Sequence, residues 1–148
     1  MKKSSDDLLK EMNSNKMKTI KDYEEYRKKN AESFKNSYMK LDRALMSLIE
    51  SKKLTRATVI KRAGVSQSYG YQILDGRKSN PDRDKVIMMC IGIGTSIEET
   101  QNLLKVTGYP ILRASNERDH FLIFAIVNHI SIIDINLELQ KLELKILE

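Results

Sequence analysis

The sequence predicts an all-α protein, and three observations carry that reading. Only 2 prolines and 6 glycines punctuate 148 residues, too few turn-formers for a succession of short strands. Phe34, Tyr38, Leu41, Leu45 and Leu48 fall at spacings of 4, 3, 4 and 3, which is one stripe of a 3.6-residue helix. Short hydroxyl or acidic residues open the apolar runs after residue 54 and glycines close several of them, as helix caps and stops do. With 41% hydrophobic and 31% charged residues the composition is that of a globular chain. A chain of this length buries about two thirds of its unfolded surface.

The elements follow in order. Residues 1–18 are polar with isolated Leu8, Leu9, Met12 and Met17, a flexible or weakly helical arm. Thr19 can cap a short helix through Ile20, Tyr23 and Tyr26, so residues 19–37 form an N-terminal helical extension. The stripe from Phe34 to Leu48 predicts one continuous helix ending near Ser51. Thr55 then opens two turns of helix with Val59, Ile60 and Ala63 inward, and Gly64 stops it, since glycine takes a left-handed backbone at little cost. Ser66 caps a second helix running to Asp75, stopped by Gly76. Two short helices joined by a tight glycine turn make a helix-turn-helix, here at 54–76. The segment 77–82 is a loop by composition.

The remainder repeats. A shift of 35 residues places Arg83-Asp84 on Arg118-Asp119, Ser96-Ile97 on Ser131-Ile132, Leu104 on Leu139 and Ile111-Leu112 on Ile146-Leu147. Cys90 falls on Ala125 and Gly94 on His129. Each copy is a nearly all-apolar helix, a turn, and a helix opened by Ser-x-x-acid, the sequence of a capping box (Ser96 with Glu99, Ser131 with Asp134). Residues 83–112 and 118–147 therefore read as a duplicated helical hairpin. Beyond the arm and the extension, the chain divides into 38–112, which holds the motif, and 113–148, the second hairpin.

Composition excludes several function classes. The single Cys90 permits no disulfide framework or multi-cysteine zinc site. With only His120 and His129 besides, metal and triad chemistry lack parts, and no phosphate-binding glycine loop is present. No enzyme, cofactor or metal is expected. The longest apolar run, Phe121 to Val127, is seven residues, far short of a membrane span, and the N-terminus is too polar for a secretory signal. The cytoplasm is the expected location. Cys90 and the Met88-Met89 pair read as core. His120 and His129 read as surface or capping residues. Arg83 and Arg118 read as structural contacts at helix starts, and Asp84 and Asp119 as acids favoured by the helix dipole.

Charge is unevenly placed. Residues 1–37 carry 10 Lys/Arg against 7 Asp/Glu, residues 38–85 carry 11 against 5, and residues 86–148 carry 5 against 8. A basic segment on a mildly acidic remainder points to a polyanion partner, or to a solvated basic face.

Leu54, Ala57, Val59, Gly64, Val65, Ile73 and Gly76, with Arg56 and Gln67 at polar positions, resemble the lambda-repressor and Cro-like helix-turn-helix of the XRE family. The resemblance covers the helix ending near Ser51, the motif, and helices at about 83–92 and 96–107, roughly half the chain. It implies a bacterial or phage transcriptional regulator whose second motif helix, 66–75, enters the major groove of duplex DNA. By position, Gln67, Ser68, Tyr71 and Gln72 would face base edges, where a glutamine amide can both give and take a hydrogen bond with adenine. Tyr69 and Tyr71 fit a core or rim role equally well. Arg56, Ser66, Arg77, Lys78 and Lys53 would lie at phosphates, with Lys61 and Arg62 adding general attraction. One departure stands out: the family carries a small residue at the position of Ile60 and a branched one at that of Gly70, and here they are exchanged. An adaptor that keeps the fold but binds a protein partner is the alternative. The apolar second hairpin predicts a homodimer, unless residues 19–33 fold over it.

Overall fold

The computed structural model describes residues 2–14, 16–34 and 38–148, and among them every regular element is helical. Two compact units divide the chain, residues 1–37 and 38–148. The second hairpin is therefore not a separate domain, because it shares one apolar core with the motif.

In the first unit, Ser5–Asn13 (α1) is a helix where the sequence predicts an arm. Its Ser4 cap accepts from the Asp7 amide, and Glu11 joins it to the next helix by accepting from the Tyr26 hydroxyl at 2.8 Å and pairing with Lys3 at 2.6 Å. Ile20–Lys29 (α2) starts on a complete Thr19–Asp22 capping box, and Ala31–Phe34 adds a 3₁₀ turn.

The second unit opens with Leu41–Ser51 (α3). The continuous helix predicted from Phe34 is interrupted: Lys40 is extended, Tyr38 is outside any helix, and the Met39 amide donates to the Val106 carbonyl. Residues 35–37 of that stripe lie outside the described residues. Helical spacing alone does not distinguish one helix from two segments in phase.

Arg56–Ala63 (α4) and Gln67–Leu74 (α5) are the two short helices expected within 54–76, capped by the Thr55 and Ser66 hydroxyls. Gly64 lies at φ 74°, the left-handed value the turn requires. Arg83–Ile93 (α6) is buried on nearly every side, from Val86 through Cys90 and on to Gly92 and Ile93, which its all-round apolar sequence dictates. It crosses α4 at Gly92, where a Cβ would collide with the Val59 carbonyl oxygen and lie 2.9 Å from the Ala63 amide. Ile97–Val106 (α7), Glu117–Val127 (α8) and Ile132–Lys141 (α9) complete the unit.

Contacts repeat at the same 35-residue interval. Gly94 and His129 both hold left-handed backbones, φ 80° and 52°. Ser96 and Glu99 form the full capping box, whereas at Ser131 only the hydroxyl bond to the Asp134 amide is made. The Gln101 amide clasps the Leu112 backbone with two 2.8 Å bonds, and Asn136 clasps Leu147 identically. Arg83 donates to the Pro110 and Ile111 carbonyls and Arg118 to those of Lys145 and Ile146. Each arginine also crosses to the other hairpin, Arg83 to Asp119 at 2.9 and 3.1 Å, and Arg118 to Asp84 at 2.9 and 3.0 Å. A head-to-tail stack would form one of these pairs. Both together are the signature of a local twofold between the hairpins, as at an isologous interface.

Candidate nucleic-acid interface

The second motif helix, α5, displays its N-terminal turn. Gln67 and Ser68 are exposed, while Gly70, Ile73 and Leu74 face the core. Burial of that inner face follows from α5 packing on α3 and α4. The close fit comes from the exchanged pair, since Ile60 Cγ1 and Cγ2 lie 2.7 Å from where a Cβ of residue 70 would stand. The volume missing at Gly70 is filled by Ile60.

The other expected base-facing residues are less free. Tyr71 and Gln72 are half-buried, and the Arg56 guanidinium lies 5.6 Å from the Tyr71 ring centroid. Lys85 stands 5.4 Å over Tyr69. Both cations thus sit on the aromatic faces of α5, an arrangement favoured by the ring quadrupole. Sequence reading placed Lys85 in no such role. A cation–ring contact between residues so far apart in the chain has no local signature.

Among the expected phosphate residues, Ser66 spends its hydroxyl on the Tyr69 amide at 3.2 Å, as a cap does. Lys53 and Lys78 are exposed, and Lys53 holds a left-handed backbone at φ 55°. Arg77 is engaged: its Nε and Nη2 both lie 2.7 Å from the Asp75 carboxylate, and its amide donates to the same group. That amide, then the guanidinium and the more distant Arg56 charge hold the Asp75 carboxyl below its ordinary value. Arg77 is thus neutralised by its neighbour, whereas Arg56 and Lys85 sit over the Tyr71 and Tyr69 rings and Lys53 and Lys78 are exposed. Lys61 and Arg62 are exposed at the end of α4. They line a cavity of about 990 Å³ between that end and the α8–α9 turn, floored by Ala125, Ile126 and Ile132.

Burial pushes the Cys90 thiol up to about 12. No group of three metal-ligating side chains occurs among the described residues, and no helix there is long and apolar enough to cross a membrane. Comparisons with protein-family models, curated proteins and solved structures return no match to this chain.

Proposed function

We propose that the second unit is a DNA-binding regulator that presents α5 to the major groove. The observation that carries this reading is the exposed Gln67–Ser68 turn of α5, in the basic segment 38–85 that also carries exposed Lys53, Arg56 and Lys78. Gln67 is the sequence-reading side chain, and Ser68 and Gln72 border it. Those cations hold phosphate without reading sequence.

Three to four phosphates neutralised per motif give a log–log salt slope of about −3. Fluorescence anisotropy with a site selected from random duplexes tests this. Gln67→Ala should cost about 1–3 kcal/mol on that site and relax one or two positions, while Lys78→Ala weakens all sequences alike. Binding indifferent to salt, or full sequence preference retained by Gln67→Ala, would sink the reading. The engagement of Arg77 by Asp75 and of Tyr69 and Tyr71 by cations favours a second reading, a protein-binding adaptor. Absence of any duplex binding would transfer support to it.

A further inference from the structure

We infer that the cavity between the C-terminal end of α4 and the α8–α9 turn binds a small organic carboxylate with an aliphatic body. The inference does not rest on DNA binding. It rests on what lines the cavity and on a comparison of the two hairpins, whose matching contacts at a 35-residue interval identify equivalent positions.

The cavity holds about 990 Å³, the upper end of the roughly 300–1,000 Å³ of small-molecule sites. Its wall is aliphatic, with Ile91 of α6, Ala125 and Ile126 of α8, Ile130 of the turn, and Ile132 and Ile133 of α9. The charged side chains that line it are Lys61 and Arg62, and no Asp or Glu does so among the described residues. Neither cation makes an ion pair or a side-chain hydrogen bond there. The Arg62 guanidinium reaches across to the α6–α7 turn, its Nη2 3.2 Å from where a Cβ of Gly94 would stand. Cations in the last turn of a helix are favoured by its dipole, but these two share a cavity with an aliphatic wall and meet no acid of the chain. One ligand with an anionic head and an apolar body suits both features.

The first hairpin shows how the same kinds of donor hold a carboxylate. There the Ser96 amide donates to Glu99 Oε1 at 2.9 Å, and Lys52 Nζ lies 3.0 Å from the same oxygen. The amide, then the ammonium, hold the Glu99 carboxyl below its ordinary value. The equivalent residues of the second hairpin are Ser131 and Asp134. Asp134 is one methylene shorter, and the Ser131 amide donates to no carboxylate among the described residues. Ser131 lines the cavity with Lys61 and Arg62, whereas Asp134 does not. A ligand carboxylate here would take the part that Glu99 plays in the first hairpin. Its aliphatic body would lie on the isoleucines, where each methylene removed from water adds to affinity. Inorganic phosphate would meet the cations but leave that wall uncovered.

Titration of the ¹⁵N-labelled full chain with sodium decanoate, without DNA and followed by amide chemical shifts, tests the inference. The expected result is saturable shifts concentrated at Thr95 and residues 129–133. Acetate and inorganic phosphate supply the charge alone and decanol the aliphatic body alone, so each should bind at least about tenfold more weakly. Lys61→Gln with Arg62→Gln alters two exposed side chains. That variant should keep its helical circular dichroism and bind decanoate at least about tenfold more weakly. Should it lose helicity, Arg62→Gln alone is read the same way, with a loss of at least about threefold. Absence of saturable binding, shifts centred elsewhere, decanol binding as tightly as decanoate, or a folded variant with wild-type affinity overturns the proposal.

Discussion

Ile60 and Gly70 meet where α4 crosses α5, and their contact predicts a mutational effect that changes sign with background. Gly70→Ala adds a methyl whose carbon would stand 2.7 Å from two Ile60 carbons and 3.0 Å from a third, well inside the 3.5–4.0 Å of ordinary carbon contact. Overpacking of this kind costs about 1–3 kcal/mol. Alanine returns about 1 kcal/mol of helix propensity, so the net effect is a loss of about 0–2 kcal/mol. Ile60→Ala alone opens a cavity and should cost about 2–5 kcal/mol. In that background the new methyl meets space. It then gains the helix propensity and about 0.8 kcal/mol of burial, so Gly70→Ala becomes stabilising by about 1–2 kcal/mol. The coupling is about 2–4 kcal/mol, readily measured in a double-mutant cycle by urea unfolding followed by circular dichroism. If Gly70→Ala has the same effect in the wild-type chain and in the Ile60→Ala variant, the two positions do not share space and the reasoning fails.

Gly92→Ala strikes backbone rather than a side-chain end, because its methyl would overlap the Val59 carbonyl oxygen. α4 must move away from α6, so the substitution should destabilise by about 1–3 kcal/mol despite its better helix propensity, and a midpoint in urea equal to or above wild type would contradict the crossing. Asp119 contributes to acid sensitivity. Burial raises its carboxyl, but the Arg83 fork and the Arg113 amide outweigh that and hold it below its ordinary 3.8. A carboxyl lowered on folding contributes stability that is present above its unfolded value and lost as pH falls through the folded one. Asp119→Asn should therefore lower the thermal midpoint at neutral pH and flatten the melting-versus-pH curve below about pH 4; parallel curves for variant and wild type would remove Asp119 from the acid transition.

Short-range chemistry made much of the fold legible in the sequence. Caps at Thr19, Thr55, Ser66, Ser96 and Ser131, and left-handed stops at Gly64, Gly76 and Gly94, involve neighbours within a few residues, so composition and spacing reveal them. The duplication was legible for the same reason, since matching residues recur at one interval. Where the signal is periodic but not anchored by caps, as before Leu41, the spacing predicts one helix, whereas Tyr38 to Lys40 lie outside any helix. Residues 1–18, for which the sequence predicts a flexible or weakly helical arm, hold the helix α1 because Lys3, Glu11 and Tyr26 tie it through contacts that span up to 15 residues.

Local residue patterning suffices for the helical class, for two short helices either side of Gly64 and for the cap at Ser66 that opens α5. Only the assembled helices bring Arg56 and Lys85 onto the aromatic rings of α5, because those partners lie on different segments of the chain. Tertiary structure also decided how the duplicated hairpins pair. Arg83 and Asp119 are 36 positions apart, and Arg118 and Asp84 are 34 apart. Each arginine stands beside its own hairpin's aspartate in the sequence, yet it pairs with the aspartate of the other hairpin. Only the facing of two hairpins across a local twofold brings each charge to its counterpart, and a one-dimensional repeat carries no information on whether its copies stack in line or face one another.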